Sequence, residues 1–181
     1  MADTIKTAIL GGGCFWCTEA VFSRLKGVLK VTPGYAGGNT EKPTYQQVCG
    51  GTTGHAEVSK IDYDPSIISY NGLLEVFFHV HDPTTLNRQG DDFGEQYRSI
   101  ILYSDDEQKA AAEKFTSKLN ASAEFQRPIV TEIKQLRAFY QAEDDHQNYY
   151  ENNSGQPYCR LIITPKLDKF RQKFPQSLKA P

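Results

Sequence analysis

The sequence predicts an α+β protein, a two-layer α/β sandwich with a mixed sheet. Apolar runs of strand length and segments of helical period follow one another as β, α, β, β, α, β, α, β, α, without the strict alternation of an all-parallel sheet. No internal repeat, low-complexity tract or linker interrupts them. The 181 residues suit one core, since a domain near this size buries roughly 70 % of the surface its unfolded chain exposes.

The elements follow in order. Ile5 to Leu10 reads as a first strand, and Gly11-Gly12-Gly13 lets the chain turn sharply after it. Cys14, Cys17, Val21 and Leu25 recur at helical spacing, so a helix starting near Cys14 carries both thiols on one face. Gly27 to Tyr35 alternates apolar with polar and predicts a second strand. Gly37 to His55 has little periodicity and six glycines or prolines, the pattern of a long loop, where function is often found. In the third strand, Glu57 to Tyr63, the residues Glu57, Ser59, Ile61 and Tyr63 share one face. Leu73, Phe77 and Val80, flanked by Leu74 and Phe78, define a second helix ending near His81-Asp82-Pro83.

A second loop, Asp82 to Tyr97, leads into the apolar strand Ser99–Tyr103. Ser104-Asp105-Asp106-Glu107 reads as a capping box that starts a third helix, with Ala112, Phe115 and Leu119 inward. Pro128 to Leu136 predicts another strand, and Tyr140 to Tyr150 is polar and aromatic without a clean period. Leu161-Ile162-Ile163 is a brief apolar run before a closing helix marked by Leu167, Phe170 and Phe174.

A formal charge of -2 gives no electrostatic basis for binding nucleic acid or an anionic membrane. No apolar run approaches the 18 or so residues of a membrane-spanning helix, and Met1-Ala2-Asp3-Thr4 is not a basic leader, so a cytoplasmic protein is expected. Cysteines at 14, 17, 49 and 159 are too few for a disulfide scaffold and match no pair of zinc knuckles. His55, His79, His81 and His146 give no ligand spacing with Cys49 either; no metal or cofactor is expected, and Cys49 is expected to be buried and inert.

The thiols at the helix start are different. Unpaired N–H groups and the positive dipole end there favour thiolate, and such settings bring a cysteine from about 8.5 to roughly 3.5–7.5. Cys14 and Cys17, three residues apart on one face, can close a disulfide with little movement. A thioredoxin-like C-x-x-C oxidoreductase and a zinc- or partner-binding module both fit this much of the sequence.

Four blocks in sequence narrow the choice: Gly13-Cys14-Phe15-Trp16-Cys17, Gly54-His55-Ala56-Glu57, Gly90 to Ser99 (GDDFGEQYRS) and Ala142 to Gln147 (AEDDHQ). Together they resemble the motif blocks of the A-type peptide methionine sulfoxide reductases, from residue 10 to about residue 160. The resemblance implies a two-layer sandwich around a ferredoxin-like core, acting as one catalytic domain over residues 1–181. It implies reduction of methionine (S)-sulfoxide, in proteins and free, with thioredoxin as the reductant and a monomer as the working form. By match, Cys14 is the nucleophile, Glu57 the acid that protonates the sulfoxide oxygen, and Tyr45 and Tyr97 the hydroxyls that bond it. Phe15 and Trp16 wall the site of the S-methyl group, Asp92 holds the main-chain amide, and His146 orients the surrounding shell. Many members have glycine where this chain has Cys17 and carry a resolving cysteine in a glycine-rich tail absent here. Cys17 is the favoured resolving thiol and Cys159 the alternative; the acidic run Glu143 to Asp145 is expected to be a solvated face.

Overall fold

The computed structural model describes residues 4–181. Strands β1 (Lys6–Gly12), β2 (Val28–Ala36), β3 (Ala56–Tyr63), β6 (Ser99–Tyr103), β7 (Glu132–Gln135) and β8 (Phe139–Gln141) form one sheet in the order β7-β6-β1-β3-β2-β8; β4 (Arg88–Gln89) and β5 (Asp92–Phe93) form a separate small hairpin. Every pair in the large sheet is antiparallel except β6 and β7, so the sheet is mixed. With helices α1 (Phe15–Phe22) and α3 (Tyr70–Val80), the units β1α1β2 and β3α3β6 interleave as two split βαβ motifs, the ferredoxin-like arrangement.

Side-chain alternation builds the main core. Ala8 and Leu10 of β1, Ile61 and Tyr63 of β3 and Ile101 of β6 face α1, α3, α4 (Asp106–Ala121) and α6 (Thr164–Lys173). Their neighbours Ile9, Val58, Ile100 and Leu102 face the other way into a smaller cluster. That second face is closed by curl: a Cβ on Gly37, just past β2, would lie 3.3 Å from Ile100 of β6, although β3 and β1 stand between those strands in the sheet. Lys134 donates to the Gly37 carbonyl across the gap.

Several expectations are corrected. The stretch from 37 to 55 contains a short helix, α2 (Tyr45–Cys49), with a complete capping box: Gln47 N donates to Thr44 Oγ1, and Thr44 N to Gln47 Oε1. The stretch from 82 to 97 holds the β4–β5 hairpin and a 3₁₀ turn, Glu95–Tyr97. The cap of α4 is Asp105, one residue later than expected. Its carboxylate accepts from Gln108 N, while Gln108 Oε1 accepts from Ser104 N. The strand expected over 128–136 shortens to β7, and the 140–150 region resolves into β8, a 3₁₀ turn and α5 (Tyr149–Asn153). The apolar run at 161–163 lies in a π-helical turn, Cys159–Ile163.

Ile61 is fully buried in the central strand, so Ile61→Ala should lower unfolding free energy by about 2–5 kcal/mol. Asp105→Ala should cost about 1 kcal/mol. Urea denaturation at unchanged m-value checks both.

Candidate active site

The site grows from the end of β1. Gly13 has φ +98°, and a Cβ there would sit 2.6 Å from Gln89 Cγ, so glycine is required on both counts. This turn sets Cys14 as the N-cap of α1, its carbonyl accepting from Cys17 N. The helix was expected to carry both thiols on one face. Every residue of it is buried except the half-buried Trp16, because α1 packs on the sheet with α5 and α6 over its outer side.

Strand β3 presents Glu57 to the first turn of this helix, where Phe15 N donates to Glu57 Oε2 at 3.0 Å. One strand period further, Ser59 Oγ pairs with Thr18 Oγ1 at 2.8 Å. Glu57 is 1 % exposed. Burial pushes its carboxyl up to about 8, opposed by the Phe15 N–H and assisted by Asp92 and Cys17. At neutral pH it is therefore a protonated acid beside a thiol.

The thiols depart from expectation. Cys14 is raised well above the ordinary cysteine value by burial, then by its hydrogen bond with Cys17 and by Glu57. Desolvation at the N-cap outweighs the helix dipole. The lowered thiol is Cys17, brought to about 7 first by its hydrogen bond with Cys14 and further by Lys166 and Tyr158, against its own burial. The pair holds one anion more readily than two. Both sulfurs line a cavity of about 390 Å³ with Asp92, Tyr158, Ile162 and Lys166.

Tyr45 and Tyr97 keep their hydroxyl protons: burial raises both well above the usual phenol value, and Glu57 adds to each. Tyr45 opens α2, anchored by donation of its backbone N–H to Glu143 Oε1 at 2.8 Å, while Tyr35 donates to Glu143 Oε2 at 2.7 Å. Glu143 is thus a bridging acceptor for two segments as well as a partly solvated residue, which the acidic run concealed. His55 accepts from Gly38 N and bonds the Thr40 carbonyl, fixing the loop that leads to α2.

Phe15 is fully buried against Tyr35 and His146, and Trp16 carries the open edge. Trp16 Nε1 donates to His146 Nδ1 at 3.1 Å, and its ring stacks on Tyr149 at 3.6 Å between centroids. Glu19, buried in the next turn, accepts from Asn148 N at 2.8 Å. Burial lifts its carboxyl to about 7 despite these N–H donors. Residues 146–149 therefore form a strap that holds the Trp16 plane.

Asp92, on β5, accepts from Tyr158 Oη at 2.8 Å, and the same hydroxyl lies 3.8 Å from Cys17 Sγ. Tyr158 and Glu19 escaped the sequence reading. One of ten tyrosines carries no signal of its own, although Tyr158 adjoins Cys159. Cys159 is fully buried; burial and then Cys17 raise its thiol. Cys49 corrects its expectation: it is exposed, because α2 turns only Val48 inward. All four cysteines are free thiols, and among the described residues no three His, Cys, Asp or Glu side chains are placed to hold a metal ion. No helix of the described residues is long and apolar enough to cross a membrane.

An α+β scaffold that seats two thiols and a neutral carboxyl on one helix N-terminus defines a thiol-dependent oxidoreductase. The family model for peptide methionine sulfoxide reductase matches residues 6–178, and the chain belongs to that family. It is 55 % identical over 172 residues to the peptide methionine sulfoxide reductase MsrA of Natronomonas pharaonis, covering 95 % of this chain and 97 % of that one. It is similar in structure to reduced Mxr1 of Saccharomyces cerevisiae, with a TM-score of 0.79 at 34 % identity over 88 % of this chain and 91 % of that one. Mxr1 in complex with Trx2 matches with a TM-score of 0.57 at 24 % identity, over 82 % of this chain and 87 % of that one. Membership in this family sets aside the thioredoxin-like and zinc-module readings.

Glu19→Ala should remove the acceptor of the Asn148 N–H, at a cost of about 0.5–1.5 kcal/mol. Trp16 is the single tryptophan, so loss of the Tyr149 stack should appear as a red shift in its fluorescence, largely restored in Glu19→Gln.

Proposed function

We propose that this chain, acting as one catalytic domain, reduces methionine (S)-sulfoxide in proteins and as the free amino acid. The observation that carries this reading is the neutral Glu57 carboxyl docked on the first turn of the helix that starts at Cys14. A sulfoxide sulfur is a poor electrophile until its oxygen is protonated, and a buried carboxyl that keeps its proton at neutral pH meets that need.

The proton path follows from the paired thiols. Cys17, the more acidic, takes the proton of Cys14, and the Cys14 thiolate attacks the sulfoxide sulfur. Glu57 protonates the oxygen, with Tyr45 and Tyr97 donating to it. The oxygen then passes to Cys14 Sγ as the substrate S–O bond and the new bond between the two sulfurs both break, leaving Cys14 as a sulfenic acid and the methionine sulfur richer by the two electrons that Cys14 loses. Phe15 and Trp16 wall the methyl group and Asp92 holds the main-chain amide. Cys17 then attacks Cys14 Sγ and its proton leaves with the hydroxyl as water, giving a Cys14–Cys17 disulfide. The two thiols lining one cavity, with Cys17 the lowered one, support Cys17 as the resolving thiol; Cys159, sealed in the core, is the alternative.

Thioredoxin returns the disulfide to two thiols by exchange in the cytoplasm, as dithiothreitol does in vitro; no cofactor takes part and the working form is a monomer. The complex described for Mxr1 with Trx2 supports that partner.

Incubation with a sulfoxide-containing peptide and dithiothreitol should consume the S epimer and leave the R epimer; no turnover of either would refute the reading. Cys14→Ser should abolish turnover. Glu57→Gln keeps a carbonyl oxygen for Phe15 N but has no proton to give, so kcat should fall by about 10²–10⁴. In the wild type the acid form of Glu57 exists below its pKa, so activity should decline as pH rises through about 8. That limb should vanish in Glu57→Gln. Cys17→Ser should retain one turnover per molecule and lose thioredoxin-coupled cycling, whereas Cys159→Ser should cycle.

A further inference from the structure

We infer that the groove between the end of α3 (His79 to His81) and the continuous segment of the π-helical turn Cys159–Ile163 and α6 is the docking surface for the dithiol reductant that reopens the Cys14–Cys17 disulfide. This rests on the thioredoxin recycling proposed above.

The π-turn has an unusual division of side chains. Cys159 and Ile163 are fully buried, while Leu161 is 72 % and Ile162 39 % exposed. Two adjacent apolar side chains therefore face outward from an irregular turn, a geometry frequent at functional positions. They border a groove of about 460 Å³ that continues over Phe170 and Phe174. Among the described residues, the adjacent exposed apolar pair and the aromatic floor make one contiguous patch, of the kind that marks contact with another protein.

Position specifies the occupant. Ile162 and Lys166 line both this groove and the cavity onto which Cys14 and Cys17 open. A reductant must bring a thiolate into bonding distance of one of those sulfurs, so a protein seated in the groove has its nucleophile next to the disulfide. The charge fits an anionic nucleophile as well. Lys166, Lys169 and Lys173, spaced i, i+3 and i+7 along α6, all line the groove. The acidic Asp168 lies outside that lining and is paired with Arg171. Lys166 also lowers Cys17, which assists departure of that sulfur as thiolate when the partner attacks Cys14. The electron count closes: one partner thiolate forms a mixed disulfide, its second thiol displaces Cys14, and the partner leaves oxidised by two electrons.

The test compares two reductants on one protein. Leu161→Ser combined with Lys169→Glu and Lys173→Glu alters only exposed side chains outside the reacting groups. Turnover of a methionine (S)-sulfoxide peptide with dithiothreitol should stay within about twofold of wild type, while KM for thioredoxin rises about tenfold or more. Added salt should raise the wild-type KM for thioredoxin more steeply than the variant's. An unchanged KM for thioredoxin would overturn the docking surface alone. So would an equal loss with both reductants, or a rise confined to KM for the sulfoxide peptide, since either would place the patch in substrate binding. Wild-type turnover with dithiothreitol but none with thioredoxin would overturn the recycling step and the docking surface together.

Discussion

A protonated carboxyl seated on the first turn of α1 is the constraint from which the rest of the site follows. It fixes the register of the sheet. Strand β1 pairs with β3 up to Leu10 against Ser59 and goes no further. Beyond that point Glu57 pairs across to Tyr35 on β2, leaving its side chain free to meet the Phe15 N–H where the chain turns at Gly13. A slip of one residue in β3 would send Glu57 to the opposite face and bring Val58 or Ala56 under the helix. The three glycines, the antiparallel register and the burial of Phe15 and Tyr35 are all conditions for that one contact.

The same desolvation acts on the nucleophile with the opposite effect on usefulness. Burial keeps Glu57 in its working, neutral state and makes a lone thiolate on Cys14 unfavourable. A second anion beside an ionised carboxylate would be worse still. A partner thiol resolves the conflict. In the proposed cycle Cys17 takes that role, so Cys14 rests as a thiol and becomes a thiolate only as its proton moves to the neighbouring sulfur, whose own thiol is the lowered one. In that proposed cycle a single residue in the C-x-x-C spacing serves first as proton acceptor and later as the thiol that attacks the sulfenic acid.

Much of this was legible in the sequence where periodicity and local chemistry agree. The strand Ser99–Tyr103 has the expected bounds, and the face shared by Glu57, Ser59, Ile61 and Tyr63 is the face turned to the helices. Legibility failed where long-range contacts decide. Helix α2 is only five residues long, too short to show a period, and its capping box lies within a glycine-rich stretch. Helix α1 showed a thiol-bearing stripe but not its complete burial, which comes from α5 and α6 packing on the other side. The value of Cys14 was misread because a dipole can be inferred from position whereas desolvation depends on the whole fold. Glu143, in a run of three acids, is exposed as expected, but its role as acceptor was hidden because its partners Tyr35 and Tyr45 are about a hundred residues away along the chain.

The two halves of the proposed cycle reach the helix N-terminus from different directions. Glu57, Tyr45 and Tyr97 come from β3, α2 and the turn before β6, and they act while oxygen is present. Tyr158, Ile162 and Lys166 come from the C-terminal segment and lie around Cys17, the thiol proposed to expel that oxygen as water. Asp92 belongs to both in the proposed cycle: Oδ2 accepts from Tyr158, and the carboxylate is the group proposed to hold the substrate amide. The C-terminal segment can therefore stay docked through both half-reactions, and Cys17 needs no large rearrangement to reach Cys14.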